Sequence, residues 1–424
     1  MRWTTTLRLD EYGEPALVHL VESDALALQN SGAGLDVRLT RDPGVYEVRA
    51  SHVVGTVVVP GCTVRIVPKV PVERLMYLLG FAPELLKAGD FARGAVRDDL
   101  VTTMKVLYAA ALERFLARGL LRQYRQDEAD LVSVRGRIDV RDLYLRRFGI
   151  FPPVRCRFED YTVDGEANRR LLAAAVKLSR VGDRSDAAST ALFALADRFE
   201  GVSLRSYGAG RFTALQRNRL MARYEPALSI AETVLGGGSI ELAAGNTITV
   251  SVLVDMEKVF ERFVARALRA QLQAVARDLE PAGWRSVVSE RGWVSQPSFP
   301  ADEGKRLTMR PDIVWSDTAG APLLVLDTKY KTVRHAPPED VYQVVAYCSA
   351  MGLRDAVLIY PDCIEECHVI RVSGIRVHQV RCTLAGNIVD VDREVSRVTR
   401  RIVALATARA RASIGPPPTV ERPA

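Results

Sequence analysis

Two short apolar runs constrain this chain more than any other feature. Ile313-Val-Trp-Ser316 and Leu323-Leu-Val-Leu326 flank the turn-rich stretch Asp317-Thr-Ala-Gly-Ala-Pro322, which predicts an antiparallel hairpin. The unbroken apolar second run predicts a strand covered on both faces. With Ser316 opposite Leu323, Asp312 falls directly opposite Asp327. Side chains two residues apart on a strand share a face about 6.6 Å apart, so Lys329 points with Asp327. Two acids and a lysine then converge at the end of a buried strand, where charge is costly unless paired, hydrated or metal-bound. Such a group can hold a divalent cation and activate water against a phosphodiester. Asp-x-Lys alone would mean little, since it is common at solvated hairpin ends. The facing acid and a following helix, Asp340-Val-Tyr-Gln343-Val-Val-Ala-Tyr347, with Gln343 and Tyr347 one turn apart, give it weight.

The 424 residues exceed one ordinary core, so two or three domains are expected. Residues 1–97 read as β-rich: Val45–Arg49, His52–Val59 and Thr63–Val67 alternate around a Pro60-Gly61 turn. Residues 98–238 read as a helical middle domain. Its Val101–Leu121 stripe carries Arg114, Arg118, Arg122 and Arg125 at helical spacing, either a solvated face or a phosphate-tracking one. Asp164 reads as the N-cap of the next helix, and Gly236-Gly-Gly238 as a linker. Residues 239–412 alternate helix, three strands, helix and two strands, an α/β domain closed by a basic helix from Val391 to Ala412. Strands are expected near Ser286–Val294, Leu307–Trp315, Leu323–Lys331, Ala356–Tyr360 and His368–Val372. Residues 413–424 read as a disordered tail.

A net charge of +7 suits a polyanionic partner. Only eight of the 58 basic residues are lysines, which makes Lys329 and Lys331 less incidental in an arginine-writing chain. No run approaches the roughly 20 apolar residues of a membrane span, and a cytoplasmic protein is expected. The six cysteines are scattered, and Cys363-Ile-Glu-Glu-Cys367-His368 lacks a second pair at zinc spacing, so reduced thiols are expected. No Gly-x-x-x-x-Gly-Lys-Ser/Thr loop occurs, so the chain is not expected to hydrolyse nucleotides itself.

Pro311-Asp312 followed by Asp327-Thr328-Lys329 resembles the PD-(D/E)xK nuclease motif, with the Gln-x-x-x-Tyr helix of several of its families. A wider, ordered set of phrases resembles the McrC family, the nuclease subunit of McrBC-type 5-methylcytosine-specific restriction systems. They are Val54-Gly55-Thr-Val with Ile66-Val-Pro-Lys69, Val134-Arg-Gly136-Arg-Ile138-Asp, Arg157-Phe-Glu-Asp-Tyr-Thr-Val-Asp164, and Asn168-Arg169. Asp255-Met256, Phe260-Glu261-Arg-Phe, Met309-Arg-Pro-Asp312 and Leu326-Asp327-Thr-Lys329-Tyr-Lys331 complete it.

The resemblance implies a restriction-endonuclease-like α/β domain at 239–412 behind a β-rich partner-docking domain and a helical middle domain. It implies that Asp312 and Asp327 ligate Mg²⁺, with the Thr328 carbonyl a candidate third ligand. Lys329 would orient or activate water and stabilise charge on the phosphorane. Glu261 would be the helix acid that completes the site, and Gln343 the glutamine that fixes the lysine or the scissile phosphate. Each has a plainer alternative: an exposed helix acid for Glu261, a surface amide for Gln343, core packing for Tyr347, and solvation rather than DNA contact for Lys331. The implied partners are double-stranded DNA and a separate AAA+ GTPase of the McrB type, which binds GTP itself. A non-cleaving activator of that partner and a stand-alone repair nuclease of the same fold are the competing readings.

Overall fold

Val53–Val59 is buried along almost its whole length, as a central strand must be. In the computed structural model it pairs antiparallel with Cys62–Val67 across the Pro60-Gly61 turn, as the alternation predicts. Thr5–Asp10 adds in parallel beyond Cys62–Val67, and Val250–Asp255 adds antiparallel on the other side, closing a four-stranded sheet. Gly55 is required there: its φ is +130° and a Cβ would meet the Val252 carbonyl oxygen at 2.1 Å. The structure describes residues 5–79, 100–145, 153–181, 186–207, 224–236, 250–278, 293–300, 304, 306, 308–317 and 320–414. Gly237 and Gly238 of the expected linker, residues 286–292 of an expected strand, and the tail beyond 414 lie outside them.

The chain divides into two compact units, Met1–Asp255 and Met256–Ala424. In the first, helices Leu100–Leu116, Glu166–Arg180, Ala187–Ala196 and Glu225–Gly236 pack on one another. The middle region is not purely helical, however. Gln123–Leu131 and Val154–Thr162 form a nine-residue antiparallel ribbon, with Arg137–Ile138 alongside. The helix expected to carry four arginines ends at Leu116, because Gly119 at φ +75° takes the left-handed position that terminates it. Arg125 therefore sits on a strand, opposite Asp160. The ribbon lacks an apolar period and is held by opposed charges instead: Glu128 faces Arg157 and Asp130 faces Arg155.

Asp164 does not cap the following helix. Its carboxylate takes two hydrogen bonds from the Arg169 guanidinium and two from Ser203, and these hold its pKa far below the ordinary range against the effect of burial. Arg170, 1% exposed, is paired with Glu166 and Glu232.

The second unit is a six-stranded mixed sheet in the order Trp293–Ser295, Ile313–Ser316, Pro322–Thr328, Asp355–Tyr360, Arg376–Arg381, Glu366–Val369. The third, fourth and fifth of these run parallel, and helix Pro338–Met351 makes the crossover between the third and fourth. Val325, Val344, Tyr347, Cys348 and Leu358 form one core between that helix and the sheet. Helices Met256–Asp278 and Ile388–Ile414 pack against each other and against Pro322–Thr328.

The expected strand across Leu307–Trp315 is broken at Arg310-Pro311-Asp312 into Thr308–Met309 and Ile313–Ser316. Arg376–Arg381 is a strand without a sequence signal, because its buried positions include His378 and Gln379, whose polar atoms bond to Asp355, Ala336, Arg334 and Ile364. Among the described residues no helix is long and apolar enough to cross a membrane.

Candidate active site

The hairpin forms in the expected register, with Ile313 opposite Leu326, Val314 opposite Val325 and Trp315 opposite Leu324. Ser316 departs from it: a bulge puts it opposite Pro322 instead of Leu323. Asp317 closes the loop by accepting the Ala321 N–H on its side chain at 2.8 Å. The bulge lies at the loop end, so the ladder toward Asp312 and Asp327 is undisturbed.

Asp327 is 1% exposed and sits on the face that packs against helix Pro338–Met351. Burial, reinforced by the charge of Asp312, pushes its pKa up to about 7 even though Lys329 opposes the shift. Asp312 is also raised, chiefly by burial. Its Oδ2 accepts both the backbone N–H of Thr328 at 2.6 Å and the Thr328 hydroxyl at 2.7 Å. These bonds tie the broken strand to its neighbour where the ladder stops.

Lys329 Nζ lies 2.7 Å from Asp327 Oδ2 and donates to Gln343 Oε1 at 2.9 Å. Burial works against the ammonium, but Asp327, with Asp340 and Asp312, holds its pKa above the usual lysine value. Gln343 Nε2 in turn donates to the Tyr347 hydroxyl at 2.7 Å, and that hydroxyl donates to the Arg310 carbonyl at 3.4 Å. A chain of contacts thus runs from the lysine through the helix and back to the residue two before Asp312. Gln343 is no surface amide, and Tyr347 both packs in the core and anchors this chain through its hydroxyl. Lys331 is engaged elsewhere. It pairs at 2.9 Å with Asp340, which also accepts from the Tyr360 hydroxyl.

Glu261 is linked to the site through Gln296. Gln296 donates its side-chain amide to Glu261 Oε1 at 2.5 Å, and its backbone N–H to the Asp312 carbonyl at 2.6 Å. Gln296 does this at φ +50°, a conformation uncommon for a residue with a side chain. The sequence contains no signal for it, because its role depends on a loop conformation. Among the described residues, Glu261 does not join the two aspartates in a three-carboxylate cluster with oxygens within 4.8 Å of one another.

A divalent cation fits the aspartate pair. Both are hard oxygen donors in a buried place, and Asp327 Oδ2 has the lysine's charge beside it but no well-directed hydrogen bond. Ser295, Gln296 and the Arg262–Arg269 face of the long helix border an adjoining groove of about 490 Å³.

The sequence model of the family described as McrBC 5-methylcytosine restriction system component matches residues 48–361. The chain belongs to this family. The match takes in Asp312, Asp327, Lys329, Gln343 and the upstream phrases that carried the McrC resemblance. This McrBC component is also similar in fold to a chain of a solved structure described as the refined half-complex from a tetradecameric assembly of Thermococcus gammatolerans McrB AAA+ hexamers with bound McrC. The likeness has a TM-score of 0.55 at 17% identity and covers 94% of this chain and 100% of that one. A chain of the Thermococcus gammatolerans McrBC complex matches less well, with a TM-score of 0.41 at 21% identity over 63% of this chain and 88% of that one. No curated protein sequence matches.

Proposed function

We propose that this McrBC component is the McrC-type subunit that cuts DNA, a Mg²⁺-dependent endonuclease with a PD-(D/E)xK core. It would work in the cytoplasm with a separate AAA+ GTPase of the McrB type. The observation that carries this reading is the convergence of Asp312, Asp327 and Lys329 at one strand end, with the lysine held by Gln343. Family membership and the fold shared with a chain of an McrB–McrC assembly support the choice of partner.

Asp312 and Asp327 would hold Mg²⁺, with the Thr328 carbonyl as a third candidate ligand. When bound, the ion supplies Lewis-acid polarisation of the scissile phosphate and eases deprotonation of water. Lys329 contributes a fixed positive charge where the non-bridging oxygens gain negative charge in the transition state. Gln343 holds that ammonium beside Asp327, and Tyr347 in turn accepts a hydrogen bond from Gln343. The Thr328 hydrogen bonds orient the Asp312 carboxylate. GTP hydrolysis and recognition of 5-methylcytosine fall to the partner.

The test is cleavage of methylated duplex DNA by the reconstituted complex with GTP and Mg²⁺. Asp327→Ala and Lys329→Ala complexes should assemble and fail to cut. Undiminished cutting by the Lys329→Ala complex would overturn the role of that lysine, and absence of Mg²⁺-dependent cutting by the wild-type complex would overturn the nuclease reading.

A further inference from the structure

The face of helix Met256–Asp278 beside the aspartate pair carries Arg262, Arg266 and Arg269, at spacings of four and three residues. All three are exposed, while Phe260, Val264 and Leu268 on the opposite side are buried. The helix is therefore fixed by its apolar side, and the arginines stand along its outer side as a row. Across from them, Ser295 and Gln296 form the other wall of the groove. That wall is continuous with the active site, since Gln296 donates its backbone N–H to the Asp312 carbonyl at 2.6 Å.

We infer that this groove is a binding site for the phosphodiester backbone of duplex DNA, one that leads a strand to Asp312 and Asp327. The inference rests on the nuclease reading for the direction of the strand, but its charge argument is independent. Three arginines at these spacings span a helix rise of about 10 Å. One strand of B-DNA advances roughly 3.4 Å along the duplex axis per nucleotide, so a row of that length lies beside about three nucleotide steps of duplex. Guanidinium groups suit such contacts because their planar fork can engage two phosphate oxygens at once. Glu261 lies at the end of the row nearest Gln296 and accepts its side-chain amide, which keeps one carboxylate engaged with the wall and limits its repulsion of an incoming phosphate. Contacts to the phosphate backbone carry no sequence information, so binding in the groove should be indifferent to sequence and methylation.

The experiment measures binding of a short fluorescein-labelled duplex to the full-length chain by anisotropy across a salt series, without Mg²⁺. An Arg262→Gln, Arg266→Gln, Arg269→Gln triple variant should bind roughly tenfold or more weakly, and equally so for methylated and unmethylated duplex. The slope of log affinity against log salt should become shallower by about 2.7, near 0.9 for each phosphate that an arginine no longer neutralises. A single Arg266→Glu variant covers the case in which the triple variant folds poorly, as judged by its circular dichroism melt, and should weaken binding in the same sense. Lys329→Ala should abolish cleavage while making the slope shallower by at most about 0.9, against about 2.7 for the triple variant, so the two assignments fail separately. Unchanged affinity and slope in folded variants, or no binding by the wild-type chain at low salt, would overturn the groove.

Discussion

The Lys329 ammonium sits 2.9 Å from the Gln343 side-chain oxygen, so the sheet's only cation at the aspartate pair, among the described residues, is steered by the helix packed on it. The lysine could otherwise lie along Asp327 alone, as a simple ion pair. Removing the amide should therefore slow chemistry without weakening assembly. Gln343→Ala is expected to reduce single-turnover cleavage by about 10–100-fold, the usual range for a group that orients a catalytic one. Tyr347→Phe should give a smaller loss in the same direction, since Gln343 keeps its contact with the lysine. Unaltered cleavage in Gln343→Ala would mean that Lys329 needs no steering.

Thr328 offers a separate test of how Asp312 is positioned. Its hydroxyl and backbone N–H both donate to the same carboxylate oxygen. Thr328→Val keeps the shape and removes one of the two donors, which costs about 1 kcal/mol of stability. Because Asp312 then retains only the backbone donor, the half-saturating Mg²⁺ concentration for cleavage should rise several-fold. The rate at saturating Mg²⁺ should change less. Equal Mg²⁺ dependence in the variant and the wild type would deny the hydroxyl that role.

Asp355 links stability to pH away from the active site. It is nearly buried, accepts two hydrogen bonds from Arg376 at 2.7 and 2.6 Å, and contacts His378 Nε2 at 2.8 Å. Burial favours its protonation, but the His378 and Arg376 bonds outweigh burial and hold its pKa far below the ordinary value. An unfolded aspartate titrates near ~3.9. The stabilisation is therefore complete above about pH 4 and is lost as pH falls through the folded value. Asp355→Asn should lower stability by about 3 kcal/mol at pH 7 in a urea titration, with the half-exposed Arg376 keeping the loss at the lower end for a broken buried pair. The gap between variant and wild type should narrow as the pH is lowered below 4.

The elements that could be read from the sequence are those in which apolar spacing and turn chemistry agree. The 313–328 hairpin is one, and its register follows from the loop and the alternation. Val53–Val67 around Pro60-Gly61 is another. The 123–131 and 154–162 ribbon is not legible in this way because cross-strand charges stabilise it, and these are invisible until the strands are paired. Arg376–Arg381 escapes notice because buried His378 and Gln379 interrupt its apolar pattern. At the site, Asp312, Asp327 and Lys329 follow from strand geometry, whereas Glu261 and Gln343 come from family resemblance. Gln296 comes from neither, since both of its bonds depend on a positive-φ loop conformation that leaves no pattern in the sequence.

Gln296 also makes opposite demands on stability and activity. At φ +50° its backbone would be more relaxed as glycine, while its amide holds Glu261 at 2.5 Å. Glycine adopts positive φ without the steric penalty that other residues meet, a difference of about 1 kcal/mol. Gln296→Gly should accordingly melt higher than Gln296→Ala, since both lose the amide but only alanine keeps the strained backbone. Both should cut DNA more slowly than wild type, because neither ties Glu261 to the loop that carries the Asp312 contact. Gln296→Asn, whose side chain tolerates this backbone region and retains an amide, should recover part of the activity. If Gln296→Gly cuts as fast as the wild type, the bond to Glu261 contributes only to packing, and Glu261 has no part in the reaction through this route.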